Sequence, residues 1–417
     1  MSPRPERPAR PRPPRATPRP APRAPRPAAP ARLPLPPDQT PALHLRPGHV
    51  RPLWAGHPWL FAQGVERVAG EPRDGDEVRI IDAEGKAIAR ALYSEGSAIV
   101  ARVFSLNADE PLSEELLAAR LRAAVALRAA EGLPCAAPGA ETTGYRLLHS
   151  EGDGLPGLIV DRLGDTLSAQ WLTEGVRRRR ALITEVLLRE TGAARVVERG
   201  LGEGAVIEFM ERGLRYSLPP EVTQKTGYYF DQRPLREWVE RAAAGRRVFD
   251  GHAFVGSMSL AAARGGARSV LTVESSAPAA AAAAAHAALN GLGHLITVER
   301  EDVRVSLAAE GREGAFDLVL LDPPPYAQRR EHLEHALKGY AKLVELGARA
   351  LAPGGLLVLS SCSAAVDLDA LQRSVALGAA AAGRRAVVTE RLFQGADHPV
   401  PAAFPEGLYL RTLVARV

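Results

Sequence analysis

Apolar and polar positions alternate in short runs over residues 43–107, with β-branched residues concentrated in DEVRIIDAEGKAIARALYS and SAIVARVFS. Alternation between turn signals predicts short strands, with Asp82–Gly85 as a hairpin turn, and a small all-β barrel is the unit expected. Residues 113–131 then become Ala/Leu-rich behind Ser113 and first-turn acids, which predicts a helix. Across 144–218 the strand pattern returns. GLPGLIVDRLGDTLSAQWL is two apolar runs broken by Leu163-Gly164-Asp165, a second hairpin. Arg177–Arg180 opens a helix in this stretch, and its simplest reading is a solvated face.

From about residue 222 the rhythm changes to strand and helix in alternation. Strands are predicted at 247–250, 269–274, 295–299, 316–321 and 355–361, with helices at 257–264, 277–290, 331–351 and 367–382. Such alternation implies right-handed βαβ units and a parallel sheet covered by helices on both faces. The last two apolar runs, AVVTERLF and GLYLRTLVARV, have no helix between them and should close the sheet as an antiparallel pair.

Charge adds one feature to this picture. The chain of 417 residues carries a net charge of +5, yet residues 1–32 hold nine arginines against Glu6. The rest of the chain is therefore about −3, so the basic excess belongs to a tail. Fifteen of the 35 prolines fall within residues 1–37. Proline removes backbone donors and like charges repel, so this stretch is expected to be extended and unpacked. It has no apolar core for a secretory signal, and its prolines oppose the amphipathic helix of a transit peptide. No run is long and apolar enough to predict a membrane span. Two cysteines, Cys135 and Cys362, cannot build a disulfide framework or a cysteine zinc site, which fits a reducing, cytoplasmic setting.

In open α/β sheets ligands bind beyond the carboxyl ends of the strands. Each predicted strand of the last unit ends in a residue suited to that crevice. The first ends in Asp250, before GHAFVGS, where Gly251 and Gly256 permit a tight turn. The second ends in Glu274, near the offset at which an acid takes ribose hydroxyls. Asp302 follows the third and is placed to meet a base edge. The fourth ends in Asp322-Pro323-Pro324-Pro325-Tyr326. A G-x-G-x-x-G cradle and a P-loop are both missing. Strand-end acids without a phosphate cradle suit a nucleoside carrying a cationic or amino-acid arm, and S-adenosylmethionine (SAM) is such a ligand.

Asp322, Pro323 and Pro324 form a stiff lip of carboxylate and carbonyls that can accept hydrogen bonds from a base's exocyclic amine. Tyr326 could stack on an extruded base. Cys362, in SSCS at the end of the fifth strand, faces the same crevice. A thiolate there can add to C6 of cytosine and make C5 nucleophilic enough to take a methyl group. Cys135 lies in an expected linker and is given no role.

The segments YRLLHSEGDGLPGLIVDR (145–162), KTGYYFDQRPLREWV (225–239), LDPPPYA (321–327), SSCS (360–363) and QGADHPVPAAFPEGLYLRTLVARV (394–417) together resemble the bacterial 23S rRNA large subunit methyltransferase I family. The resemblance covers about residues 43–417. It implies an α/β protein: a tail (1–42), a small all-β PUA-like RNA-binding domain (43–108), a central β-rich α+β domain (109–221) and a C-terminal Rossmann-like class I SAM methyltransferase domain (222–417). It further implies 5-methylcytosine formation in 23S rRNA, with Cys362 as nucleophile and Asp322 beside it. The cofactor set is then Phe230, Gln232, Asp250, Phe254, Gly256, Glu274, Asp302 and Asp322, with Pro323, Pro324, Tyr326 and Arg233 toward the RNA. No metal and no membrane are expected, and a homodimer is open to the chain. Two positions depart from the family pattern. Phe254-Val255-Gly256-Ser257 stands where Tyr-Thr-Gly-Gly is usual, and Pro325 stands where lysine is common. Two other readings remain at this stage. One is N-methylation of a base amine with Cys362 incidental; the other is an RNA-binding protein whose catalytic function has decayed. Arg46, Arg51 and Arg177–Arg180 are candidate phosphate contacts.

Overall fold

The structure is a computed structural model that describes residues 31–33, 39–198, 205–222, 226–327 and 330–417. The first unit comprises β1 (Ala31–Leu33), β2 (Ala42–Leu45), the single-turn α1 (Arg51–Trp54), β3 (Trp59–Phe61), β4 (Val65–Ala69), β5 (Glu77–Ile81), β6 (Ala87–Tyr93) and β7 (Ile99–Ser105). They form one sheet in the order β1-β4-β2-β5-β6-β7-β3. Leu43, Val78, Ile80, Ala89, Ala91 and Ala101 are fully buried in its core, as inward positions of alternating strands should be. The hairpin at Asp82–Gly85 forms, with the Asp82 carboxylate accepting from the Glu84 and Lys86 amides. Ala31–Leu33, placed in the unpacked tail by its neighbours' composition, pairs in parallel with Arg67–Ala69. These three residues between Pro30 and Pro34 keep the amides that a strand needs. The remaining tail positions, 1–30 and 34–38, lie outside the described residues.

The central unit follows with α2 (Glu114–Ala130), β8 (Gly144–His149), β9 (Leu158–Leu163), β10 (Thr166–Trp171), α3 (Glu174–Arg178), α4 (Arg180–Thr191) and β11 (Arg195–Val197), its sheet ordered β11-β10-β9-β8. Ser113 caps α2, its hydroxyl accepting from the Leu116 amide. The Leu163-Gly164-Asp165 hairpin joins β9 to β10. The arginine run is not a purely solvated face. Arg178 bonds Asp76 at 2.7 Å, and Arg179 bonds Glu77 at 3.2 Å and the Gly75 carbonyl at 3.1 Å. These contacts clamp the central unit to the first.

A two-stranded hairpin, β12 (Ile207–Glu211) and β13 (Leu214–Leu218), comes next. Its Ile207, Phe209, Tyr216 and Leu218 share one core with Leu235, Trp238 and Val239 of α5 (Arg233–Ala242). The same core includes Leu163 of β9, and the Met210 amide donates to Thr143, so the hairpin packs against both the central and the last unit. The last unit continues β14 (Arg247–Gly251), α6 (Ser257–Arg264), β15 (Ser269–Val273), α7 (Ala277–Leu289), β16 (Ile296–Glu299), α8 (Val303–Ala308), β17 (Phe316–Leu321), α9 (Leu333–Ala350), β18 (Leu351–Ser361), α10 (Leu368–Ala381), β19 (Val387–Leu392) and β20 (Arg411–Arg416). The sheet order is β16-β15-β14-β17-β18-β20-β19, parallel from β16 to β18 and antiparallel where β20 inserts between β18 and β19. The order reverses at β14, whose neighbours are β15 and β17, and that switch point opens the crevice.

The stretch between β19 and β20 ties all three units together. Phe404 packs edge-on to Trp59 with ring centroids 4.6 Å apart. Asp397 accepts from the Arg146 amide at 3.1 Å and from Arg233 at 2.9 Å. Its carbonyl takes a 2.7 Å bond from Arg128, a fully buried arginine also paired with Asp153. No described helix is long and apolar enough to cross a membrane.

Candidate active site

A cleft of about 560 Å³ opens at the carboxyl ends of β14, β15, β17 and β18. Its wall includes Tyr229, Asp231 and Gln232 from the turn before α5, Asp250, His252 and Phe254 after β14, and Glu274 after β15. Asp322, Pro323 and Pro324 after β17 and Cys362 after β18 complete it. Strand order sets the layout: acids after β15 and β14, the Asp-Pro-Pro lip after β17, and the thiol after β18.

The loop after β14 is held by side chains. Glu274 accepts the Phe254 amide at 2.9 Å through one oxygen and the Ser276 amide at 2.8 Å through the other. His252, Phe254 and Gly256 all have positive φ, at 61°, 50° and 77°. Only at Gly256 is that conformation unstrained, and a Cβ there would meet Ala283 at 3.0 Å. Backbone strain of this kind at two non-glycine residues concentrates where a ligand site is built. Asp250 is buried, accepts from Ser259 at 2.6 Å, and has its pKa pushed up to about 7, chiefly by burial. Burial also lowers the pKa of His252.

Gln232 Nε2 donates to Asp322 Oδ2 at 2.8 Å, so the lip is braced from α5's leading turn. Behind it, Tyr340 bridges Ser361 at 2.9 Å and Ser363 at 3.1 Å, fixing the segment on either side of Cys362. Burial, then Asp322, Asp231 and Cys362, raise the pKa of Tyr229, keeping its phenol neutral.

The expected residues divide into two groups. Gln232, Asp250, Phe254, Glu274, Asp322, Pro323, Pro324 and Cys362 line the cleft. The others stand back from it. Phe230 is fully buried against Phe209 and Tyr228, an aromatic core position. Arg233 is engaged by Glu211 at 2.9 Å and by Asp397, so it holds the framework. Tyr326 packs on Tyr340 with centroids 4.7 Å apart, not across the opening. Asp302 caps α8 and pairs with Arg304 at 3.2 Å, its pKa lowered mainly by that arginine. Gly256 shapes the loop without lining the cleft. The cleft wall also includes His252 and Asp231, which the strand-end pattern does not single out. His252 carries no sequence signal of its own, whereas Asp231 sits inside the motif that contains Gln232.

The wall fits SAM on two observations. Asp231, Asp250, Glu274 and Asp322 surround the cleft with carboxyl groups, which suits a cationic ligand. Gln232 Oε1 and His252 Nε2 are buried on that wall without a hydrogen-bond partner among the described residues, and a polar ligand would supply one. Residues 328–329 lie outside the described residues, and no metal-binding group occurs among the described ones.

Comparison with known proteins agrees with this layout. Residues 43–106 match the PUA-like domain family, and residues 177–404 match the S-adenosylmethionine-dependent methyltransferase family. Ribosomal RNA large subunit methyltransferase I of Shewanella amazonensis is 34% identical over 400 residues, covering 90% of this chain and 99% of that protein. The Aeromonas hydrophila protein of that name is 36% identical over 398 residues, covering 90% and 99%. A SAM-dependent methyltransferase structure from Streptococcus mutans superposes with a TM-score of 0.77 at 20% identity, covering 90% of this chain and 100% of that one. A methyltransferase solved with SAH gives 0.78 at 20%, with the same coverage. At that identity the two structures show a shared fold. Sequence and architecture together establish that this chain is a SAM-dependent methyltransferase belonging to the ribosomal RNA large subunit methyltransferase I family.

Proposed function

We propose that the protein methylates C5 of a cytosine in 23S ribosomal RNA, using Cys362 as a covalent nucleophile. The observation that carries this reading is the position of Cys362 on the cleft wall, one strand from the Asp322-Pro323-Pro324 lip. The relatives' names supply the substrate class, large-subunit ribosomal RNA.

The lip accepts hydrogen bonds from the cytosine amine and holds the ring between the thiol and the nucleoside-side acids. Cys362 Sγ, as thiolate, forms a bond to C6, and the electron pair of the C5=C6 bond moves into an enamine. Held in the cleft, SAM would supply, from a cationic sulfur, the methyl group that the activated C5 takes. Loss of the C5 proton restores C5=C6 and expels the thiolate. Asp250, Glu274 and Gln232 serve by fixing the donor's position, which converts an encounter into an oriented transfer.

Recognition of the RNA is assigned to the PUA-like unit and the exposed arginines beside it, of which Arg51 is one. Arg178 and Arg179, already paired with Asp76 and Glu77, contribute less. Substituting Cys362→Ala tests the reading: methyl transfer is lost while SAH binding persists. Transfer at the wild-type rate would favour N-methylation of the base amine. Loss of SAH binding in the wild-type protein, with RNA binding kept, would favour a non-catalytic role.

A further inference from the structure

The chemistry above leaves one proton without an acceptor. From the geometry we infer that Asp231 is the general base that removes the C5 proton, and that Tyr409 positions its carboxylate. This inference rests on the cytosine-C5 reading and deepens it.

Among the described residues four carboxyl groups line the cleft, and strand order separates them. Glu274 and Asp250 follow β15 and β14, on the side assigned to the methyl donor. There Glu274 accepts from two loop amides and Asp250 Oδ2 from Ser259. Asp322 is on the lip between the two sides, accepts from Gln232, and is taken up with the cytosine amine. Asp231 remains, and the fold places it on the side of the thiol. Ser361 at the end of β18 pairs with Arg411 at the start of β20, and Cys362 and Leu410 are the residues directly beyond that last pair. Leu410 also lines the cleft. The next residue back, Tyr409, donates its hydroxyl to Asp231 Oδ2 at 2.7 Å. The path from Cys362 to Asp231 therefore runs through one residue and its neighbour's side chain.

The side matters because of the stereochemistry at C5. When the thiolate adds from one face of the ring and the methyl group arrives from the other, the C5 hydrogen is displaced toward the thiol's face. An acceptor on the donor's side is then across the ring from it. Asp231 is buried on the cleft wall, which keeps its carboxylate in a fixed position. Tyr409 is itself anchored, its ring stacked on His149 with centroids 6.2 Å apart. In the elimination, the C5–H bond breaks and Asp231 takes the proton. The bonding pair reforms C5=C6, the C6–S bond breaks, and Cys362 leaves as thiolate. Asp231 then releases its proton to water through the cleft opening.

A base needed only for the last step has a distinctive signature. Asp231→Asn should still bind SAH within a few-fold, still add Cys362 to the RNA, and still transfer the methyl group once. The product should remain covalently attached, giving a protein–RNA adduct stable to denaturing electrophoresis and carrying one methyl group. Turnover should fall at least a hundredfold. Adding Cys362→Ala to that variant should abolish the adduct. Tyr409→Phe, which keeps the ring and its packing, should show the same adduct at a lower level, and it serves if the asparagine variant fails to fold. Turnover of Asp231→Asn within tenfold of wild type overturns the inference. So does loss of SAH binding without any adduct, since Asp231 would then belong to the donor site. Tyr409→Phe with wild-type adduct formation and resolution also overturns it. Failure of the C5 reading itself looks different: Cys362→Ala alone would keep full methyl transfer.

Discussion

Gln232 and Asp322 come from elements 90 residues apart and meet in a 2.8 Å hydrogen bond across the mouth of the cleft. The bond locks the amide of the turn before α5 onto the carboxylate of the Asp-Pro-Pro lip. The lip is thereby aimed before any substrate arrives. Two prolines fix the turn's backbone, and Gln232 fixes its one ionisable side chain.

Substitution at Gln232 should report on this brace. Gln232→Ala removes the donor and should slow single-turnover methyl transfer about tenfold, the cost of leaving one hydrogen bond to a charged group unmade. Gln232→Glu places a second carboxylate against Asp322 and should cost more, roughly a hundredfold. Rapid-quench measurement of labelled methyl transfer checks both. Equal rates for the two variants would detach the brace from catalysis.

Glu211 anchors the β12–β13 hairpin to α5. It accepts from Arg233 at 2.9 Å, from Arg236 at 2.7 Å and from Tyr228 at 3.0 Å, all out of solvent. Burial alone would raise its pKa, but Arg236 and Arg233 hold it below the usual carboxylate range. Glu211→Ala leaves the buried Arg236 guanidinium without its carboxylate, while Arg233 keeps Asp397, and should cost about 3 kcal/mol in urea unfolding. A loss under about 1 kcal/mol would contradict the pairing.

Asp250 should make the free enzyme's stability depend on pH. Its folded-state pKa, pushed up to about 7 by burial, exceeds the value of about 3.9 expected in an unfolded chain. Between those values the folded state holds a proton that the unfolded state has released. The contribution is therefore full below about pH 4 and falls as pH rises to about 7. Thermal unfolding should show Asp250→Asn gaining on the wild type across that window, with the difference level above it. Binding of a cationic donor favours the ionised carboxyl, so calorimetry near pH 6.5 in buffers of different ionisation enthalpy should detect proton release. No pH-dependent gain across that window would contradict the buried carboxyl's role.

Much of this was legible in the sequence because the signals are local. Residues 247–250, 269–274 and 316–321 read as strands from short apolar runs bounded by turn residues, and they lie within a residue of β14, β15 and β17. The cleft residues at strand ends followed from a topological rule that needs no contacts. What the sequence could not show were relations across long separations. Arg233 reads as a ligand contact until Glu211 and Asp397 are seen to occupy it. Arg178 and Arg179 look like an exposed basic run until Asp76 and Glu77 arrive from the first sheet. Phe230 and Tyr326 read as pocket aromatics, and only packing reveals that their rings serve the core and Tyr340. The short helix α8 gives too few residues for a periodicity to register.

The basic tail should affect affinity and leave the chemistry alone. Deleting residues 1–30 removes eight arginines and Glu6. RNA binding should then depend less steeply on salt, by up to about 0.7 in the log–log slope for each single-strand phosphate that the tail neutralises. Turnover on a short RNA at saturating concentration should stay within about twofold of the full chain; collapse of turnover would show that the tail takes part in the reaction.

The central claim, that Cys362 drives methylation at C5 of cytosine, is tested most directly by mass spectrometry of rRNA fragments. The fragments would be treated in parallel with the wild-type protein and with Cys362→Ala, using an isotopically labelled methyl donor. Labelled 5-methylcytosine is expected from the wild type and none from the variant, with SAH binding preserved in both. Label on an exocyclic nitrogen, or undiminished 5-methylcytosine from Cys362→Ala, would contradict the claim.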